Sequence, residues 1–92
     1  VDEMNKDIIK GVTKSGFEFE ITKERLNNFE LIEVFAEVDN NPLLLPKALN
    51  LLLGKEQKEK LYDHLRTSED IVPADLVGQE IVEIFSYNQV KN

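Results

Sequence analysis

Phe17-Glu18-Phe19-Glu20-Ile21 decides the fold of this chain. Its apolar residues stand at every second position with a glutamate between them, and an extended strand turns such residues to alternate faces. One face is therefore greasy and the other wet. Just upstream, Lys14-Ser15-Gly16 is short and polar, and Gly16 can take the positive φ that a tight reversal demands. Further upstream, Ile8, Lys10 and Val12 share one side of a second extended segment. The pattern predicts a β-hairpin over residues 7–21. A lone pair of strands is marginally stable, so the Phe17 and Phe19 face must lie on helices.

Downstream, Thr22 is a candidate N-cap, because its hydroxyl can accept from an orphan backbone N–H. The helix it opens is expected to run to about Asp39, stopped by Asp39-Asn40-Asn41-Pro42. At 100° per residue, Glu30, Glu33 and Glu37 fall in one narrow acidic stripe. Leu26, Phe29, Leu31, Ile32, Val34, Phe35, Ala36 and Val38 occupy most of the remaining circumference. A surface helix carries a narrower apolar stripe than that, so this one is either central to the core or shared with a partner.

Pro42 and Pro46 come next. Proline suits the first turn of a helix and disrupts its interior, so Pro42 to Leu45 reads as a tight turn and Pro46 to Leu53 as helix, with Gly54 as the stop. Leu43, Leu44, Leu45, Leu49, Leu51, Leu52 and Leu53 are too many for one face of so short an element, and some are expected to project outward. Lys55 to Arg66 is a charged helix with a thin apolar edge of Leu61, Tyr62 and Leu65. Thr67 to Asp70 is a polar linker. A last helix begins near Pro73 and presents Leu76, Val77, Ile81, Ile84 and Phe85 at helical spacing. Gly78 inside it costs about 1 kcal/mol against alanine and is read as room for a close neighbour. Tyr87 to Asn92 is expected to fray. The fold class is α+β, mainly α: an N-terminal β-hairpin packed on about four short helices over residues 22–89, in a single domain spanning 1–92.

A chain of 92 residues hides only roughly two-thirds of its unfolded surface, so leftover apolar area points to a partner. The formal charge of −7, from 18 acidic against 11 basic residues, argues against nucleic acid and against anionic membrane surfaces. The lysine-rich run Lys55 to Lys60 is interleaved with Glu56 and Glu59 and reads as a solvated helix face. With no cysteine, disulfides, thiolate metal sites and thiol nucleophiles are excluded. No apolar run reaches the roughly 20 residues that span a bilayer, and Val1 to Asn5 lacks a signal-peptide pattern. The expected compartment is the cytoplasm.

The search for chemistry finds no constellation. His64 is the only histidine and reads as a surface residue; nothing else completes a zinc site. Asp39-Asn40-Asn41 runs into Pro42 without the glycine and spacing of a calcium loop, and Glu69-Asp70 fails likewise. Glu30, Glu33 and Glu37 read as solvated carboxylates rather than an acid–base pair in an apolar pocket. Ser15, Ser68 and Ser86 lack a nucleophile elbow, and Lys14-Ser15-Gly16 lacks phosphate-loop spacing. The expectation is a non-enzyme with no cofactor and no metal that acts by binding another protein. Candidate partner-binding residues are Phe29, Ile32 and Phe35, or the outward leucines of the next segment: Leu43, Leu44, Leu45, Leu51 and Leu52. The plainer alternative is that all of them simply form the core of a small domain.

The stretch Ser15-Gly16-Phe17-Glu18-Phe19-Glu20-Ile21, followed by Phe29-Glu30-Leu31-Ile32-Glu33, resembles the opening of small tail assembly chaperones from siphophages and prophages of Gram-positive bacteria. Asn41-Pro42-Leu43 through Leu51-Leu52-Leu53-Gly54-Lys55-Glu56-Gln57-Lys58 resembles the same family more closely. Tyr62-Asp63-His64-Leu65-Arg66, and Val72-Pro73 leading a helix that ends Glu80 to Phe85, complete the order. The resemblance implies a non-enzymatic factor of the host cytoplasm, needed to build the tail and absent from the mature virion. It implies binding to the tape measure protein, which is kept soluble, and recruitment of tail tube protein around it. It also implies several copies acting together, with homo-oligomer formation, and in many members a frameshifted longer form. No family-defined binding residues carry over. The alternative is a small acidic regulatory or inhibitor protein that binds a basic partner through Glu30, Glu33 and Glu37, and salt would weaken that binding. An enzyme with an unfamiliar site would need a deep pocket with convergent polar groups.

Overall fold

The computed structural model describes the backbone of residues 8–91 and the side chains of residues 8–87; the expected strand start at Asp7 and chain end at Asn92 lie outside them. In chain order the elements are β1 (Ile8–Val12), β2 (Glu18–Thr22), α1 (Lys23–Leu26), α2 (Phe29–Glu37), a 3-10 turn (Pro42–Leu44), α3 (Leu45–Leu65) and α4 (Ala74–Lys91). The fold is α+β and mainly α, an antiparallel hairpin followed by helices, as the alternation and spacing predict.

The hairpin register pairs Ile9 with Ile21, Lys10 with Glu20, and Gly11 with Phe19. Phe17, Phe19 and Ile21 are buried, so their cross-strand partners Ile9 and Gly11 face inward too. Ile8, Lys10 and Val12 therefore line the outer face, where Lys10 meets Glu20 at 3.6 Å and Val12 stands exposed. Thr13 closes the reversal: its N–H donates to the Phe17 carbonyl at 2.9 Å and its hydroxyl accepts from the Phe17 N–H at 3.2 Å. Gly16 has the positive φ that the turn predicts. The free edge of β2 is covered by the Gln57 amide, which donates to the Glu20 carbonyl at 2.7 Å and accepts from its N–H at 2.8 Å. This occupies the Glu20 backbone groups that another strand would need.

Thr22 caps α1 as expected, its hydroxyl accepting from the Arg25 N–H at 3.2 Å. The single helix expected over Thr22 to Asp39 is broken, however, at Asn27-Asn28. Asn28 starts a second helix by accepting from the Glu30 N–H at 3.0 Å. Asparagine competes for nearby backbone donors and so favours caps over helix interiors. The break re-aims α2 and drives Leu31 fully into the core.

In α3 the backbone at Gly54 has φ 82° and ψ 165°, a region essentially closed to residues with a Cβ. The helix is thus two pieces with the expected stop between them. Where the first piece ends, the Arg25 guanidinium donates to the carbonyls of Asn50 (3.3 Å) and Leu51 (3.0 Å), groups a broken helix leaves without intrahelical partners. Ala48, Leu49, Leu52 and Leu53 from the first piece, and Leu61 and Leu65 from the second, meet the hairpin face. Val77, Ile81 and Ile84 of α4 complete that core.

Two expectations about α4 are corrected. It does not fray at Tyr87: the helix continues to Lys91, and the Tyr87 ring stands edge-on to Phe19 with centroids 5.2 Å apart. The glycine with a crowding neighbour is Gly11, where a Cβ would lie 2.6 Å from the Tyr87 ring and 2.7 Å from that of Phe19. At Gly78 nothing within the described chain comes within 4 Å of the Cβ position.

Candidate functional site

The predicted binding residues divide three ways. Leu52 is fully buried and is withdrawn as a surface candidate: the first piece of α3 lies among β2, α2 and α4, so its inward leucines are all used by the core. Phe35, Leu44, Leu45 and Leu51 are half-buried. Phe29 is 73% exposed, Ile32 41% and Leu43 86%.

These residues do not make one patch. Leu44 borders a shallow recess with Glu30, Glu33, Glu37 and Lys47. Leu51 borders another beside Thr22 and Arg25. Phe29, Ile32 and Phe35, by contrast, fall within one arc of about 120° on α2 at 100° per residue. Phe35 turns toward α4, where its ring packs on Phe85 with centroids 4.8 Å apart.

Beyond Phe35 an open groove of about 1120 Å³ lies between α2 and α4. Phe35, Val38, Leu45, Ile81, Val82 and Tyr87 supply its apolar lining, and Gly78 leaves bare backbone in it. Asp39, Asp75 and Glu83 stand around it against one lysine, Lys14. Sequence reading reached Phe35 and Leu45 but missed Val38, Val82 and Gly78 as members of one site. The available signal was a helix-interior glycine among apolar positions three and four residues away.

A polar constellation also escaped sequence reading. His64 Nε2 lies 3.1 Å from both the Ser15 carbonyl and the Ser15 hydroxyl, and that hydroxyl lies 2.7 Å from Glu80 Oε2. A carbonyl only accepts, so the imidazole nitrogen carries the proton, Ser15 accepts from it, and the serine hydroxyl donates to Glu80. A serine nucleophile needs the opposite polarity, with the hydroxyl donating to the imidazole. The arrangement therefore ties the hairpin turn to α3 and α4. Glu80 is 5% exposed, and its Oε1 has no hydrogen-bond partner among the described residues. His64 is exposed as predicted, yet it is held at Nε2 and its ring lies 5.7 Å from that of Phe17.

Glu30, Glu33 and Glu37 are all exposed, in keeping with a solvated stripe. Among the described residues no group of three or more histidine or acidic side chains could hold a metal ion, and no described helix is long and apolar enough to cross a membrane. Comparison with known proteins returned no match: no family model fits the chain, and no curated protein or solved structure is significantly similar to it.

Proposed function

We propose that this chain is a tail assembly chaperone of the siphophage and prophage type, which binds the tape measure protein, keeps it soluble and helps recruit tail tube subunits. The observation that carries this reading is the exposure of Phe29, Ile32 and Leu43 beside a hydrophobic core that is filled without them. Contiguous exposed apolar side chains mark recognition surfaces, and Phe29 and Ile32 share one arc of α2. A tape measure is a long amphipathic helix that aggregates when its partner subunits are missing. An apolar strip that accepts i, i+3, i+4 anchors is an established way to cover such a helix. The net charge of −7 keeps the carrier itself dispersed. The order of motifs from Ser15 to Phe85 supplies the family, and with it the host cytoplasm as the place of action and absence from the mature virion.

The test is co-expression with the tape measure protein. Wild-type chain should bring it into the soluble fraction, and Phe29→Asp and Leu43→Asp should each lose that ability with their melting temperatures unchanged. Full recovery of soluble tape measure protein with both variants would overturn the reading. The exposed Glu30, Glu33 and Glu37 favour one alternative, an acidic regulator of a basic partner. In that case Glu30→Gln, Glu33→Gln and Glu37→Gln together would abolish binding, whereas apolar docking through Phe29 and Leu43 would survive them.

A further inference from the structure

We infer that the groove between α2 and α4 seats one helix of a partner, amphipathic and flanked by lysine or arginine, whose backbone comes closest at Gly78. The inference rests on the protein-binding reading above and adds, to the exposed Phe29, Ile32 and Leu43, a second place of contact and its chemistry.

Among the described residues nothing requires glycine at position 78. It sits inside α4, where glycine costs about 1 kcal/mol against alanine. Its φ is not positive and no described atom approaches the Cβ position within 4 Å. Gly11 shows what an internal reason looks like, since two aromatic rings of this chain fill the space a Cβ would need. The vacancy at Gly78 opens into the groove that Phe35 and Val82 also line. Helix axes pack at roughly 8–10 Å, depending on the side chains at the contact, so a bare position lets a second helix settle deep.

Charge selects the occupant. Asp39, Asp75 and Glu83 against Lys14 leave the rim acidic, and α2 adds the exposed Glu30, Glu33 and Glu37 on its other side. A second copy of a chain with net charge −7 would bring like charges together there. A helix with an apolar ridge and basic flanks matches both the lining and the rim.

The experiment titrates the full chain into a labelled amphipathic peptide of leucine and lysine, and into a counterpart with the same leucines and glutamate for lysine. The leucine–lysine peptide should bind at least about tenfold more tightly, equivalent to roughly 1.4 kcal/mol. Gly78→Leu should weaken that binding by about tenfold or more while the melting temperature holds or rises. Should the leucine side chain lower the melting temperature, Gly78→Ala is to show the same direction in a smaller step. Equal binding of both peptides, or undiminished binding by both Gly78 variants, overturns the inference. So does a dimer of the wild-type chain in sedimentation that Gly78→Leu abolishes. Tape measure capture that ignores Gly78→Leu but is lost in Phe29→Asp sinks the groove and leaves the chaperone. Wild-type chain that ignores the tape measure yet binds the basic peptide through Gly78 does the reverse.

Discussion

Toward the hairpin, α4 is locked: the Tyr87 ring covers Gly11 so closely that a single added methyl would overlap it, and Glu80 takes the Ser15 hydroxyl at 2.7 Å. Toward α2, the same helix leaves Gly78 bare and Val82 53% exposed, and the Phe35–Phe85 ring contact bridges the gap. Both sides are apolar and both contain a glycine. What separates them is whether the chain supplies the opposing surface. The hairpin side is closed internally, and the α2 side is left open. Hydrophobic content alone could not have told them apart.

That contrast can be broken at several points. The largest effect belongs to the finished interior: Leu52→Ala, at a fully buried position, should lower stability by about 2–5 kcal/mol in urea unfolding. A loss below about 1 kcal/mol would mean that Leu52 can be vacated and that α3 is not the keystone of this core. Next comes Gly11→Ala, which forces Tyr87 or Phe19 aside and should cost about 1–3 kcal/mol at unchanged denaturant slope. An unaltered midpoint would show that Tyr87 can swing away, making the hairpin side as open as the other. The smallest change has the opposite sign. Gly78→Ala should stabilise the chain by about 1 kcal/mol, because the added methyl enters open space and the helix gains propensity. If it destabilises instead, the groove is occupied by the chain itself and the contrast disappears.

Much of the fold was readable locally. Alternation in Phe17 to Ile21 marked β2, Thr22 marked a cap, Gly16 a reversal and Gly54 a stop, and the structure places each where it was read. The misread elements have a common cause. Asn27-Asn28 looked like ordinary polar helix until a cap there let α2 turn Leu31 inward. Ile8, Lys10 and Val12 read as one side of a strand, and only pairing with Phe19 and Ile21 makes it the outer side. The candidate site was legible in part: Phe29, Ile32 and Leu43 are the exposed residues, while Leu52 was indistinguishable from its outward neighbours. The Ser15–His64–Glu80 contact joins residues 49 and 65 positions apart, beyond any local pattern.

By itself the sequence determined the hairpin, the Thr22 cap, the Gly16 reversal and the Gly54 stop, the acidic charge and a surplus of apolar side chains. Each of these follows from forces acting within a few residues: backbone dihedral limits, capping hydrogen bonds and the two helical and extended periods. Only the tertiary structure decided which leucines are spent on the core, which glycine is crowded and which is bare, and on which side α4 is left open. Those outcomes depend on what distant segments bring against each surface, and neither side of a contact encodes the other's position.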